Sequence, residues 1–171
     1  MNNKGVIIQG SARGDGNTNK ITLFLKEQTG YDIIDLKTKN IGEFDYNFEN
    51  SNDDFLPLMK EIVDKYDTIV FISPVYWYSM SGIMKTFFDR ISDCLYVEKE
   101  IGRKLRGKNM AVISCGSDNK TIEGFSLPFE KSADYLGMKY LGYAHSWLEE
   151  NTISGPLKIK LIDFVKSFEN A

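Results

Sequence analysis

The chain has 171 residues, and nowhere in it does a glycine–lysine pair precede serine or threonine; no G-x-G-x-x-G occurs either. The first absence excludes the phosphate loop of P-loop nucleoside triphosphatases, which needs that lysine on the β and γ phosphates. The second excludes the classical dinucleotide fingerprint. Cysteine is nearly missing. Cys94 and Cys115 have neither metal-ligand spacing nor a redox partner motif, so no metal site and no disulfide framework are expected. Reduced thiols in a cytoplasmic protein follow. No apolar run is long enough to span a bilayer. Met1-Asn2-Asn3-Lys4 lacks the apolar core of a signal peptide. Neither charge sign dominates: the net charge is -3, which gives no reason to expect a nucleic-acid partner. Repeats, low-complexity tracts and linkers are absent as well.

What is present has the size and apolar content of one globular domain over residues 1–171. Strand and helix patterns alternate along it. Strands are expected at about Gly5–Gln9, Asp32–Leu36, Thr68–Ser73, Asn109–Ser114 and Lys139–Ala144. Helices are expected at about Asn17–Gln28, Asp53–Lys65, Ser81–Leu95 and Phe125–Leu136, and a last one opened by Pro156. Residues 37–53 read as a polar, asparagine-rich loop carrying Phe44, Tyr46 and Phe48. Five strands alternating with helices predict an α/β fold: a parallel sheet with right-handed crossovers and helices on both faces. In the order 2-1-3-4-5 a ligand sits where the order reverses, at the ends of strands one and three. The loops after those strands should therefore be unusual.

The first of them is Gly10-Ser11-Ala12-Arg13-Gly14-Asp15-Gly16-Asn17-Thr18, directly after Val6-Ile7-Ile8. Its glycines let successive N–H groups turn inward. The next helix adds its unpaired N-terminal N–H groups and positive dipole end. Ser11, Asn17 and Thr18 add side-chain donors, and Arg13 can pair with an anion. The result is a phosphate cradle. Asp15 is expected to point outward.

The second loop, Pro74-Val75-Tyr76-Trp77-Tyr78-Ser79-Met80-Ser81-Gly82, presents three consecutive aromatics after a buried strand. Such rings give rigid apolar faces with one polar tip each. One phosphate cradle beside an aromatic platform describes a site for a phosphorylated aromatic heterocycle. FMN fits it better than a dinucleotide.

With these motifs in place, the chain resembles the flavodoxin-fold NAD(P)H-dependent oxidoreductases, which include FMN reductases and quinone reductases. The resemblance rests on Gly10-Ser11-Ala12-Arg13 with Gly16-Asn17-Thr18, and on Ser73-Pro74-Val75-Tyr76 continuing into Lys85-Thr86-Phe87-Phe88-Asp89-Arg90. It implies that Ser11, Arg13, Asn17 and Thr18 hold the FMN phosphate, and that Pro74, Val75, Tyr76, Trp77, Tyr78 and Ser79 line the isoalloxazine ring. It also implies that Cys115, Gly116 and Ser117 approach the flavin from the other side. NAD(P)H is the implied co-substrate and a small aromatic molecule the acceptor. The implied chemistry is the flavin's, so no side chain is assigned as catalytic; backbone N–H groups of the Pro74–Tyr78 loop or of Cys115–Ser117 are the expected stabilisers of the reduced ring. Residues 37–53 hold no cysteine, which excludes the cluster of iron–sulfur relatives. The full Tyr-Trp-Tyr run departs from the family pattern and is expected to shape the acceptor site.

A flavodoxin-type electron carrier is the alternative, although its T-x-T-G-x-T cradle is absent; a non-enzymatic FMN-binding module is a third. His145 reads as a structural or surface residue and Cys115 as packing. Lys85, Asp89 and Arg90 read as a solvated helix face or an interface. A homodimer is expected, with the aromatic loop and the 37–53 segment as contact surface.

Overall fold

In a computed structural model, which describes residues 4–170, the strands are β1 Gly5–Gln9, β2 Asp32–Asp35, β3 Thr68–Pro74, β4 Asn109–Cys115 and β5 Lys139–Ser146. The helices are α1 Asn17–Thr29, α2 Phe55–Lys65, α3 Gly82–Tyr96, α4 Lys99–Arg103, α5 Leu127–Leu136 and α6 Gly155–Lys166. Residues 1–3, read above as lacking a leader's apolar core, lie outside the described residues, as does Ala171. All strands pair in parallel in the order β2-β1-β3-β4-β5. The flavodoxin-like arrangement expected from the alternating pattern is therefore the one observed.

The three central strands are apolar on both sides because helices cover both. Val6, Ile8, Ile69, Phe71 and Val112 face α2, α3 and α5, while Ile7, Val70, Ile72 and Ile113 face α1 and α6. Phe87 of α3 anchors the first layer. It is fully buried, and its ring lies 5.4 Å from Phe55 and 6.1 Å from Phe71. Burial of such a ring stabilises by roughly 1.5–3 kcal/mol, with about 0.5–1.5 kcal/mol more for each well-placed aromatic pair.

Three features depart from the sequence reading. The five-residue α4 is not among the expected helices. It packs so closely on α3 that a Cβ on Gly102 would lie 2.3 Å from the Cys94 carbonyl oxygen. Arg90 is not on a solvated face: it is 1% exposed, and its guanidinium pairs with Asp53 and Asp93. The same group donates to the carbonyls of Gly42 and Asn50 at 3.0 Å each, fastening the 37–53 segment to α3. Lys85 and Asp89 do pair at the surface as read, at 2.6 Å. Finally, β5 carries a bulge. Met110 pairs with Tyr140 but Ala111 pairs with Gly142, so Leu141 is the extra residue. Gly142 adopts φ 112°, which glycine alone accepts without strain.

Candidate functional site

The loops after β1, β3 and β4 meet at the carboxyl end of the sheet, where the strand order reverses. Ser81 ties the first two together. Its Oγ donates to the Gly10 carbonyl at 2.5 Å and accepts the Met84 N–H at 3.1 Å, capping α3. Its own N–H donates to Ser73 Oγ at 2.9 Å. Gly10 has no room for a side chain: a Cβ there would lie 2.8 Å from Met84 Cε. The cradle is thus held against the start of α3 by packing and by one buried hydroxyl.

Within the cradle, α1 begins without a side-chain cap at Gly16 and with no acidic residue in its first turn. The first intrahelical bond runs from the Lys20 N–H to the Gly16 carbonyl. Among the described residues, the N–H groups of Gly14 through Asn19 have no hydrogen-bond partner. Ser11 is buried, and its Oγ accepts the Arg13 N–H at 3.2 Å, leaving its own hydrogen free to donate. Arg13, Asp15 and Asn17 are exposed, Asp15 pointing outward as expected. Thr18 is buried beside Cys115. This donor set fits a phosphate monoester: a run of unpartnered amides, a helix dipole, one free hydroxyl, an exposed cation and no competing carboxylate in the first turn.

The β3 loop closes through a tight turn. Tyr76 N–H donates to the Ser79 carbonyl at 3.0 Å, and Ser79 N–H donates back to Tyr76 at 3.1 Å. Trp77 and Tyr78 form its tip in the left-handed region, at φ 48° and 66°. Both rings point to solvent, at 94% and 72% exposure. Pro74 ends β3 opposite Cys115, and Val75 N–H donates to the Cys115 carbonyl at 3.0 Å. Gly116 N–H donates to the Ser146 carbonyl at 2.9 Å. Several amides expected to serve a ligand are therefore used internally. Those of Trp77, Tyr78 and Ser117 have no partner among the described residues.

A cleft of about 440 Å³ opens between the two loops. Val75, Trp77 and Tyr78 form one wall; Gly116, Asp118 and Ile122 belong to the other, with His145 also lining it. The cleft therefore collects residues of the Pro74–Gly82 loop together with Gly116 and Ser117, and none from the Gly10–Thr18 cradle. Its wall at 118–122 and His145 were not singled out for it, and nothing in the composition of that stretch marked it. Cys115 lies at the strand end beneath the cradle. Burial pushes its thiol up, and the Thr18 and Ser146 hydroxyls only partly offset this, so the thiol stays protonated and unreactive at neutral pH.

A family model described as NADPH-dependent FMN reductase matches residues 4–151. The chain belongs to the NADPH-dependent FMN reductase family. Bacillus subtilis YwqN, named as an NAD(P)H-dependent FMN-containing oxidoreductase, is 28% identical over 152 residues, covering 80% of this chain and 81% of that one. The structure of the Trp repressor binding protein from Bacillus subtilis covers 94% of both chains with a TM-score of 0.70 at 23% identity. That of general stress protein 14 from Treponema denticola, in complex with FMN, covers 98% of this chain and 96% of the other, with a TM-score of 0.64 at 15% identity. At these identities the two structures speak for the shared fold. Family membership makes this reductase a flavoprotein oxidoreductase with FMN as cofactor and NAD(P)H as co-substrate. No helix among the described residues is long and apolar enough to cross a membrane.

Proposed function

We propose that this reductase passes electrons from NAD(P)H, through FMN, to a small flat aromatic acceptor such as a quinone, a free flavin or a related ring compound. The observation that carries this reading is the pairing of an uncapped phosphate cradle with an open cleft walled by aromatic rings. Ser11, Arg13, Asn17, Thr18 and the amides at the start of α1 hold the phosphate. Pro74, Val75, Tyr76, Trp77, Tyr78 and Ser79 line one side of the ring, and Cys115 and Gly116 approach the other. Bound there, FMN would supply the redox chemistry, hydride acceptance from the reduced nicotinamide and return of the electron pair to the acceptor.

The chain's own part is binding and orientation. The free N–H groups of Trp77, Tyr78 and Ser117 supply fixed donors at the cleft, where charge on a polar ring edge is best met by dipoles already in place. The rings of Trp77 and Tyr78 offer flat apolar faces to whatever stacks above the cofactor. Nicotinamide and acceptor use this one cleft in turn. No side-chain acid or base is assigned a proton. Because the cleft is open and Trp77 stands in solvent, a second copy of the chain is proposed to complete it, in a two-fold homodimer.

Steady-state oxidation of NADH and of NADPH by the FMN-loaded protein tests this reading, with quinones, free flavins, azo dyes and nitroaromatics as acceptors. Saturable turnover with at least one of these classes is expected. Protein that binds FMN yet oxidises neither nicotinamide with any of them is instead an electron carrier, and the proposal fails.

A further inference from the structure

We propose that His145 is a positioning residue for the cleft: it holds the 116–122 wall in place through the Asp118 carbonyl. This rests on the reading of the cleft as the flavin-ring site. His145 is 2% exposed and pairs in register with Ser114. Its Nε2 lies 2.9 Å from the Asp118 carbonyl oxygen and its Nδ1 lies 2.7 Å from Ser114 Oγ. A carbonyl oxygen can only accept, so Nε2 carries a hydrogen, and in the neutral imidazole Nδ1 is then the acceptor. Ser114 O–H must then donate to Nδ1. Tyr143 O–H, 2.7 Å from the same Ser114 oxygen, donates in turn. In that neutral ring, one carbonyl sets the direction of all three bonds.

The loop has little else to hold it. Residues 117–121 are exposed. Gly116 N–H is tied to Ser146, and the Lys120 N–H bond to Asp118 Oδ1 is internal to the loop. Between Gly116 and Ile122, the His145–Asp118 bond is the only hydrogen bond to the sheet among the described residues. Gly116 is shaped to admit the imidazole, since a Cβ there would lie 2.7 Å from His145 Cε1. Trp147 supports the ring at 6.1 Å in a stacked arrangement.

The bulge in β5 makes this possible. Strict alternation from Tyr140 would send residue 145 to the α1–α6 side of the sheet, with Leu141. The extra residue before Gly142 reverses the count, so Tyr143 and His145 share the side of Ser114 and the cleft. Bulges re-aim side chains beside active sites in this way.

The test compares wild type with His145→Phe, which keeps the ring and removes both hydrogen bonds, and His145→Gln, whose amide restores a donor toward Asp118. Two readouts are taken: FMN and riboflavin affinity by flavin-fluorescence titration of the apoprotein, and tryptic cleavage after Lys120 in the same apoprotein. The Phe variant should lose about tenfold in affinity for both flavins, as expected for one hydrogen bond. Losses should match because a ring wall, not the phosphate, is disturbed. Cleavage after Lys120 should accelerate severalfold, and Gln should recover most of both effects. Should His145→Phe fail to fold, Ser114→Ala carries the same test through loss of the Nδ1 partner. Wild-type cleavage and affinity in the Phe variant, or in Ser114→Ala where that replaces it, overturn the proposal. If wild type itself binds neither flavin, the flavin reading fails, and the cleavage comparison still decides whether His145 holds the loop.

Discussion

Two bulky residues in succession, Trp77 and Tyr78, occupy the left-handed region at the tip of a doubly bonded turn. Asn-Gly is the usual occupant of such a turn, because each L-residue with a Cβ there is strained by about 1–2 kcal/mol. Strain of this kind persists where function demands the side chain. Tyr78 is 72% exposed, so its ring is not held there by core packing. Tyr78→Gly should therefore leave the protein as stable or more stable by up to about 1 kcal/mol, after glycine's greater freedom in the unfolded chain is counted. Acceptor turnover should fall, because a wall of the cleft is gone. Chemical denaturation beside steady-state kinetics checks both. A loss of more than 1 kcal/mol would show the ring to be structural, and unchanged acceptor KM and kcat would remove it from the site.

At the scale of elements, the 37–53 segment is the part of the fold most dependent on one side chain. Arg90 Nη1 lies 2.5 Å from Asp53 Oδ2, and its Nε lies 2.9 Å from Asp93 Oδ2. Asp53 also accepts the N–H groups of Gly42 and Phe55 at 2.8 and 2.9 Å. Burial alone would raise the Asp53 carboxyl, but the Arg90 bond and these two N–H groups outweigh it and hold it below the usual range. A carboxylate depressed in the folded state stabilises fully above its unfolded value, near 4, and the contribution vanishes as pH falls through the lower folded value. Wild-type stability should thus drop below about pH 4. Asp53→Asn should be less stable at neutral pH and show a shallower acid slope. Arg90→Met, which strands two buried carboxylates, should lose about 3–5 kcal/mol. Denaturant midpoints from pH 2 to 7 read all three, and an Asp53→Asn slope equal to wild type would sink the assignment. Strand positions and sheet order were legible because Val6–Ile8 and Thr68–Ser73 are short apolar runs between turn residues. The burial of Arg90 was readable in principle: it lies three residues after Phe87 and one before Ile91, on the apolar stripe of α3. The side taken by His145 was not, because a bulge reverses side-chain alternation and Gly142 alone does not announce one. The 118–122 wall was hidden for a similar reason, since an exposed polar loop gains its role only from what it faces.

For the whole molecule, the open question is what covers the rings that stand in solvent. Trp77 is 94% exposed in the loop that leads into α3, and Tyr46 is 90% exposed in an aromatic cluster with Phe44. Phe48 joins that cluster to Tyr96, the last residue of α3. The two aromatic groups thus belong to segments at opposite ends of α3, whose 15 residues rise roughly 20 Å. A two-fold contact along the flank of α3 would take in both groups and bring a partner over the mouth of the cleft. The affinity of such a contact usually rests on a few central aromatics. Each copy contributes the same patch, so a substitution at its centre acts twice. Trp77→Gly, which relieves strain rather than adding it, should then weaken self-association by well over tenfold, at about 2 kcal/mol per copy. Acceptor turnover should decline as the dimer dissociates on dilution. Light scattering across a concentration series, run beside steady-state kinetics, gives both. A wild-type mass of 19.5 kDa at micromolar concentration with full turnover would mean that one chain encloses its acceptor unaided, and that the rings along α3 serve some other contact.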